Sequence, residues 1–298
     1  MAAIVWVGWG LDQAVRGQPR TAFFLTIRGN PRMHCYMSRP IETTHQMTRP
    51  EDLELPNEGH EPAPDDAGRE PIFNLPAIVI AFIAACVAIH LVRLYLLSPQ
   101  QDYELILKAA FFPIRYTGGY DLDIYAFTSP FTSSLLHAGW MHLVLNMVWL
   151  AAFASPLATR IGVVRFVLFW CFATAGSLLL HFAVRPDDMV PVIGASGAIS
   201  GMMGAAARFG FQVDRSQRMP VFAGRRLSLI ETFRSRQAVI FLVVWLAINF
   251  ATGAGLDLSG SEGAIAWEAH IGGMLTGLFG IGLLDRTPPR GDRSPVLQ

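Results

Sequence analysis

The sequence predicts an all-α membrane protein: a polytopic bundle of six transmembrane helices with both termini cytoplasmic. Three observations carry that reading. Mean hydropathy is +0.37 and charged residues make up 15% of the chain, where a soluble domain carries about 25%. Apolar runs of bilayer length follow one another between residues 75 and 284. Arginine is concentrated in alternate connections between those runs. Net charge is zero and pI is near 7.1, so no whole-molecule field draws nucleic acid or an acidic substrate. Cys35, Cys86 and Cys171 are too few and too scattered for a disulfide framework or a CxxC metal site.

The spans are read in order. Leu75–Leu97 is the first, with His90 and Arg93 near an end where they can snorkel. Trp140–Ala158 is the second. Val163–Ala183 is the third, bounded by Arg165 and His181, and Val190–Ala207, free of charge, is the fourth. Gln237–Leu256 is the fifth; Asn249, Thr252 and Gly253 weaken its outer end. Ala264–Leu284 is the sixth, interrupted by Glu268 and His270 and closed by Asp285, Arg286 and Pro288.

The connection after span four holds Arg208, Arg215, Arg218, Arg225, Arg226, Arg234 and Arg236, which places it in the cytoplasm. Arg160 and Arg165 after span two agree, as do Arg286, Arg290 and Arg293 after span six. Asp187, Asp188, Asp257 and Glu262 fall in the opposite loops.

Outside the spans, residues 1–74 read as a disordered cytoplasmic leader, acidic and proline-containing from 46 to 71. Ala2–Leu11 is apolar but too short to span and lacks a basic flank, so it is no signal peptide. Met37 or Met47 is an expected alternative start of the natural protein. Residues 75–285 form the membrane domain and 286–298 a short cytoplasmic tail. Ser98–Ser134 reads as an interfacial loop with a short amphipathic piece around Leu105–Ile114. Self-similarity at solenoid periods is absent from the sequence.

Polar groups inside the spans carry the functional information, because each costs free energy in hydrocarbon unless paired or wetted. His142 and Asn146 open span two and share a helix face, with His137 just before the helix. Gly194-Ala-Ser196-Gly197 opens span four. Ala269-His270-Ile-Gly272-Gly273 lies in span six. The predicted orientation puts all three clusters in the outer half of the membrane, where one water-accessible pocket can hold them.

A serine hydroxyl becomes a nucleophile when an imidazole takes its proton, and Ser196 and His270 supply that pair. The oxyanion of acyl transfer needs fixed donors, which His142, Asn146 and the free amides at the start of span four can provide. No acidic third member is spaced beside His270, so a Ser-His dyad is the simpler reading. Gly197, Gly201 and Ala205 on span four, with Gly273 and Gly277 on span six, form small-residue faces that let the two backbones approach. Taken singly, GxSG is also a packing motif, and His142, Asn146 and His270 are also interhelical hydrogen-bond glue.

His137-x4-His142-x3-Asn146, Gly194-x-Ser196-Gly197 and Ala269-His270-x-Gly272-Gly273, in that order on spans two, four and six, resemble the rhomboid family of intramembrane serine proteases. The resemblance covers roughly residues 75–285. It implies a six-helix core that cleaves transmembrane protein substrates near the membrane surface without a cofactor or metal, in a multi-pass protein of a bacterial inner membrane. It also implies Ser196 as nucleophile, His270 as general base, His142 and Asn146 as oxyanion stabilisers, and His137, Gly194, Gly197 and Gly273 as structural support. Two departures stand out. The family's Trp-Arg pair is missing between Ser98 and Ser134, and Ser200 replaces the aromatic that stacks on the histidine, leaving Trp267 as a candidate to position it.

Other membrane chemistries fit less well. A zinc protease needs His-Glu-x-x-His, which is absent, and an aspartyl protease needs two intramembrane aspartates. A transporter would show paired halves, and a scaffold that only binds transmembrane clients would have no use for Ser196 together with His270.

Overall fold

A computed structural model describes residues 74–254, Gln217 excepted, and 266–286. The acidic leader, the starts at Met37 and Met47, Cys35, the loop around Asp257 and Glu262, and Arg290 and Arg293 lie outside the described residues.

Nine α-helices account for most of the described chain. They are α1 (Ala77–Tyr95), α2 (Pro99–Ala109), α3 (Ile124–Thr132), α4 (Trp140–Ile161), α5 (Val163–Val184), α6 (Ser196–Ala207), α7 (Leu229–Arg234), α8 (Arg236–Gly253) and α9 (Trp267–Leu284). A short antiparallel hairpin, β1 (Val213–Asp214) with β2 (Val221–Phe222), pairs Val213 with Phe222. Four helices, α1, α4, α5 and α8, are long and apolar enough to cross a membrane. With them the chain is a mostly helical, multi-pass membrane protein. The fourth and sixth predicted spans correspond to α6, which has 12 residues and is about 18 Å long, and to α9, whose first turn carries Glu268 and His270.

Two elements differ from the sequence reading. The fourth span was expected from Val190, but its helix starts at Ser196. Pro191 has no amide to give a helix, Val192 pairs with Phe111 in an isolated antiparallel bridge, and Gly194 has φ +122°, a conformation that a side chain opposes. The interfacial loop is also more ordered than expected. Ser98 starts α2 with a capping box, its hydroxyl accepting from Gln101 N–H (3.3 Å) and its amide donating to Gln101 Oε1 (2.9 Å). The helix stops at Ala109, before a 3₁₀ turn at Pro113–Tyr116.

Side-chain bonds fasten that loop where the Trp-Arg pair is missing. Arg93 of α1 donates to Asp102 of α2 from Nε (2.7 Å) and to the His137 carbonyl from Nη1 (2.8 Å). Tyr116 O–H donates to the Ala126 carbonyl (2.6 Å) and Thr132 Oγ1 to the Ala109 carbonyl (2.8 Å). Arg93 is therefore an internal tie. His90 is buried against Trp140, and His181 is buried beside Glu268.

The core forms where α9 packs against α6 and α5, with α4 on the other side of α6. Small residues set this contact. A Cβ on Gly273 would enter the Gly197 carbonyl, and one on Gly277 the Gly201 carbonyl, so the α6 and α9 backbones touch without side chains between them. Gly204 faces the Met274 carbonyl in the same way. At the opposite end Arg160 of α4 binds Asp285 through Nε and Nη2 (3.1 Å each) and the Phe222 carbonyl through Nη1 (2.8 Å). Arg208 is buried and donates to the Leu278 and Leu227 carbonyls. Two arginines of the basic connections are thus structural struts.

Gly277→Val should lower the unfolding free energy by about 1–3 kcal/mol, read as a fall in the thermal midpoint in detergent. Gly282→Ala, whose Cβ meets only ordinary contacts at 3.5 Å or more with Arg226, should leave it unchanged or raise it.

Candidate active site

Three helix ends and one extended segment converge on a cavity of about 400 Å³ lined by His142, Asn146, Trp149, Gly194, Ser196 and His270 among others. Ser196 is the first residue of α6, so the opening amides of that helix have no partner within it. His270 sits in the first turn of α9. Its Nε2 is 2.9 Å from Ser196 Oγ, a contact across 74 residues of sequence. The backbone approach at Gly273 and Gly197 brings these two short side chains within reach.

His142 and Asn146 come from the first two turns of α4 and face the same space. His142 Nδ1 accepts from Ala138 N–H at 3.4 Å, so the neutral ring carries its proton on Nε2. That nitrogen lies against Gly194, where an added Cβ would be 2.8 Å from it. Asn146 is buried and donates one Nδ2 hydrogen to the His142 carbonyl (2.8 Å), leaving the other free. Thr174 and Ser177 of α5 also line the cavity.

His137 precedes α4 and is 1% exposed, with its carbonyl held by Arg93 and its ring 5.1 Å from that of His142. Burial, and next the nearby His142, push its pKa down to about 3, so it is uncharged at neutral pH. Glu268 is buried two residues before His270, paired with Arg185 at the end of α5 and 3.6 Å from His181 Nδ1. It ties the start of α9 to α5. Among the described residues, no group of three or more His, Cys, Asp or Glu could hold a metal ion.

A family model described as the Rhomboid domain matches residues 126–286, just over half of the chain. The chain belongs to the rhomboid family. It is 29% identical over 149 residues to the Arabidopsis thaliana protein named "RHOMBOID-like protein 6, mitochondrial", covering 49% of this chain and 40% of that protein. It is 38% identical over 73 residues to the Bacillus subtilis protein named "Putative rhomboid protease YdcA", covering 24% and 36%. It is 27% identical over 154 residues to the uncharacterized protein Rv1337 of Mycobacterium tuberculosis, covering 50% and 56%. The chain thus spans between about a third and somewhat over half of the lengths of these relatives.

In this rhomboid four of the five polar residues singled out from sequence, Ser196, His270, His142 and Asn146, meet at one cavity, and His137 is not part of its lining. Gly194 and Gly197 belong to that lining, and Gly273 packs on the Gly197 carbonyl. One residue at the site escaped the sequence reading. Asn249 of α8 is buried, with Oδ1 2.9 Å from His270 Nδ1 and Nδ2 donating to the Trp267 carbonyl at 2.9 Å. Trp267 therefore contributes its backbone, while its ring packs on Phe250 at 4.9 Å. Asn249, Thr252 and Gly253, expected to weaken the outer end of α8, each have a partner. Thr252 Oγ1 donates to the Asn249 carbonyl (2.8 Å), and Gly253 leaves room for the Trp267 ring, 2.6 Å from where its Cβ would lie.

The depressed pKa of His137 sets a sign for stability. Its contribution is complete above its unfolded value near 6.5 and is lost as pH falls toward 3, because the unfolded chain takes up a proton that the folded one refuses. The thermal midpoint should fall between about pH 7 and about pH 5, and His137→Leu should remove part of that slope.

Proposed function

We propose that this rhomboid is an intramembrane serine endopeptidase that hydrolyses peptide bonds of transmembrane protein substrates. The observation that carries the reading is the 2.9 Å contact between His270 Nε2 and Ser196 Oγ in a cavity that also receives His142 and Asn146. The name of the Bacillus subtilis relative supports it.

In this reading His270 Nε2 takes the Ser196 proton as Oγ attacks the scissile carbonyl carbon. The resulting oxyanion is met by His142 Nε2–H, the free Asn146 Nδ2 hydrogen and the unpaired amides at the start of α6. The C–N bond then breaks, and His270 returns the proton to the leaving amine. Water, deprotonated by the same imidazole, releases the acyl group and restores Ser196. No step calls on a metal or cofactor.

The chain crosses the bilayer six times in this proposal, α6 and α9 joining the four apolar helices as the fourth and sixth spans. The arginine-rich connection between α6 and α8 faces the cytoplasm, and so do both termini. Bacterial relatives support a bacterial inner membrane as its location. A periplasm-dependent phosphatase fused after Asp187 should be active and one fused after Arg286 inactive; the reverse pattern overturns the orientation.

The activity test is cleavage of a model transmembrane substrate in liposomes. Wild type should cleave it, while Ser196→Ala and His270→Ala should each lose a factor of about 10³ or more with unchanged thermal midpoints. Ser196→Ala cleaving at the wild-type rate would overturn the assignment, and intact client binding without cleavage would move it to a scaffold.

A further inference from the structure

Resting on the serine-protease reading above, we infer that Asn249 is a positioning residue for the reaction: it holds the His270 ring and fixes which nitrogen carries the proton. A neutral imidazole has one N–H, and as a base toward Ser196 it must present a bare Nε2. Some group must therefore accept from Nδ1. Asn249 Oδ1 stands 2.9 Å from that atom.

The hydrogen bonds around Asn249 leave the amide one orientation. The Trp267 carbonyl can only accept, so the Asn249 nitrogen faces it at 2.9 Å and the oxygen is turned to His270. An amide oxygen can only accept, so Nδ1 carries the hydrogen and Nε2 is free to accept the Ser196 hydroxyl. The two bonds to His270 come from opposite ring nitrogens and so also hold the plane of the ring. With Ser200 at the position where an aromatic would stack, hydrogen bonding does here what stacking would do there. A neutral amide is a workable orienting partner for a histidine base, as cysteine-histidine-asparagine hydrolases show.

The local packing makes the orientation durable. Phe250 and the space left by Gly253 seat the Trp267 ring, which fixes the backbone carbonyl that Asn249 binds. Thr252 holds the Asn249 carbonyl. The group resides on α8, the least buried of the four membrane-crossing helices, so the base is set only while the outer end of α8 is docked on α9. Interhelical glue would need no particular partner on α9; the Asn249 oxygen meets the one atom whose protonation decides whether His270 is a base.

Two readouts test this on the full-length protein. Histidine-selective ¹⁵N NMR in liposomes, with His270 assigned by its loss in His270→Gln, reads the tautomer. The pH profile of substrate cleavage reads the base. Wild type should show the Nδ1-protonated ring. Asn249→Ala should show a mixed tautomer and a kcat lower by about tenfold or more with little change in KM. Asn249→Asp places a carboxylate on Nδ1, beside the Glu268 already paired with Arg185 and across the cavity from His142. It should retain the tautomer, recover part of the Asn249→Ala loss and move the acid limb of the profile up by about one unit.

An Asn249→Ala protein with the wild-type tautomer and kcat overturns the inference. So does an Asn249→Asp protein that falls as far as Asn249→Ala with an unmoved acid limb, since that is what purely structural loss gives. If Asn249→Ala does not fold, the Asn249→Asp limb decides alone. If wild type, like Ser196→Ala, cleaves nothing, the protease reading falls, and the NMR comparison still decides what Asn249 does to His270.

Discussion

The contact on which everything else depends is backbone against backbone. Gly273 and Gly277 of α9 lie on the carbonyls of Gly197 and Gly201 of α6 with no side chain between them. Dispersion between closely fitted backbones replaces the hydrophobic effect that drives soluble cores, because hydrocarbon surrounds a membrane helix whether or not it is packed. The same approach sets the chemistry. A serine side chain reaches only a little beyond its own backbone, so an imidazole on a neighbouring helix meets it only when the helices nearly touch. A methyl group added at Gly273 would disturb the fold and the Ser196–His270 pair together.

Around that contact, polar groups are placed where other parts of the chain satisfy them. Arg93 joins α1, α2 and the loop before α4; Arg160 joins α4, the hairpin and the end of α9; Arg208 joins the Leu227 carbonyl before α7 to the Leu278 carbonyl of α9. Each guanidinium spends its donors on carbonyls or one carboxylate, the arrangement that a site poor in water demands. The cavity is the exception. Its hydroxyl, imidazoles and amides meet one another and the open space, and the directions of the bonds at its heart follow from the Trp267 carbonyl, which can only accept, through Asn249 to His270.

Much of this was legible in the residues, and the limits have physical causes. Long apolar runs marked α1, α4, α5 and α8 because hydrocarbon length and helix rise are fixed quantities. The site was legible because Ser196, His270, His142 and Asn146 are costly in a membrane and have local companions: the small residues around Ser196, and the four-residue step from His142 to Asn146. The start of α6 was misplaced by six residues, since composition alone makes Val190–Ile193 look like helix whereas Pro191 and the positive φ of Gly194 commit it to an extended path. The fastening of the α2–α3 loop by Arg93 was hidden because a residue near a span end reads equally as snorkelling. Asn249 was hidden for a related reason. Its partner is 21 residues away on another helix, and an asparagine, a threonine and a glycine at a helix end read as weakness until the facing surface is known.

The measurement that bears most directly on the central claim is the position of a covalent adduct after treatment with a fluorophosphonate, which transfers its phosphonyl group to an activated serine oxygen with loss of fluoride. Peptide mass mapping of the treated protein should find one adduct, on Ser196, and none when His270 is replaced by alanine. An unmodified Ser196, or an adduct that forms equally well without His270, would contradict the account.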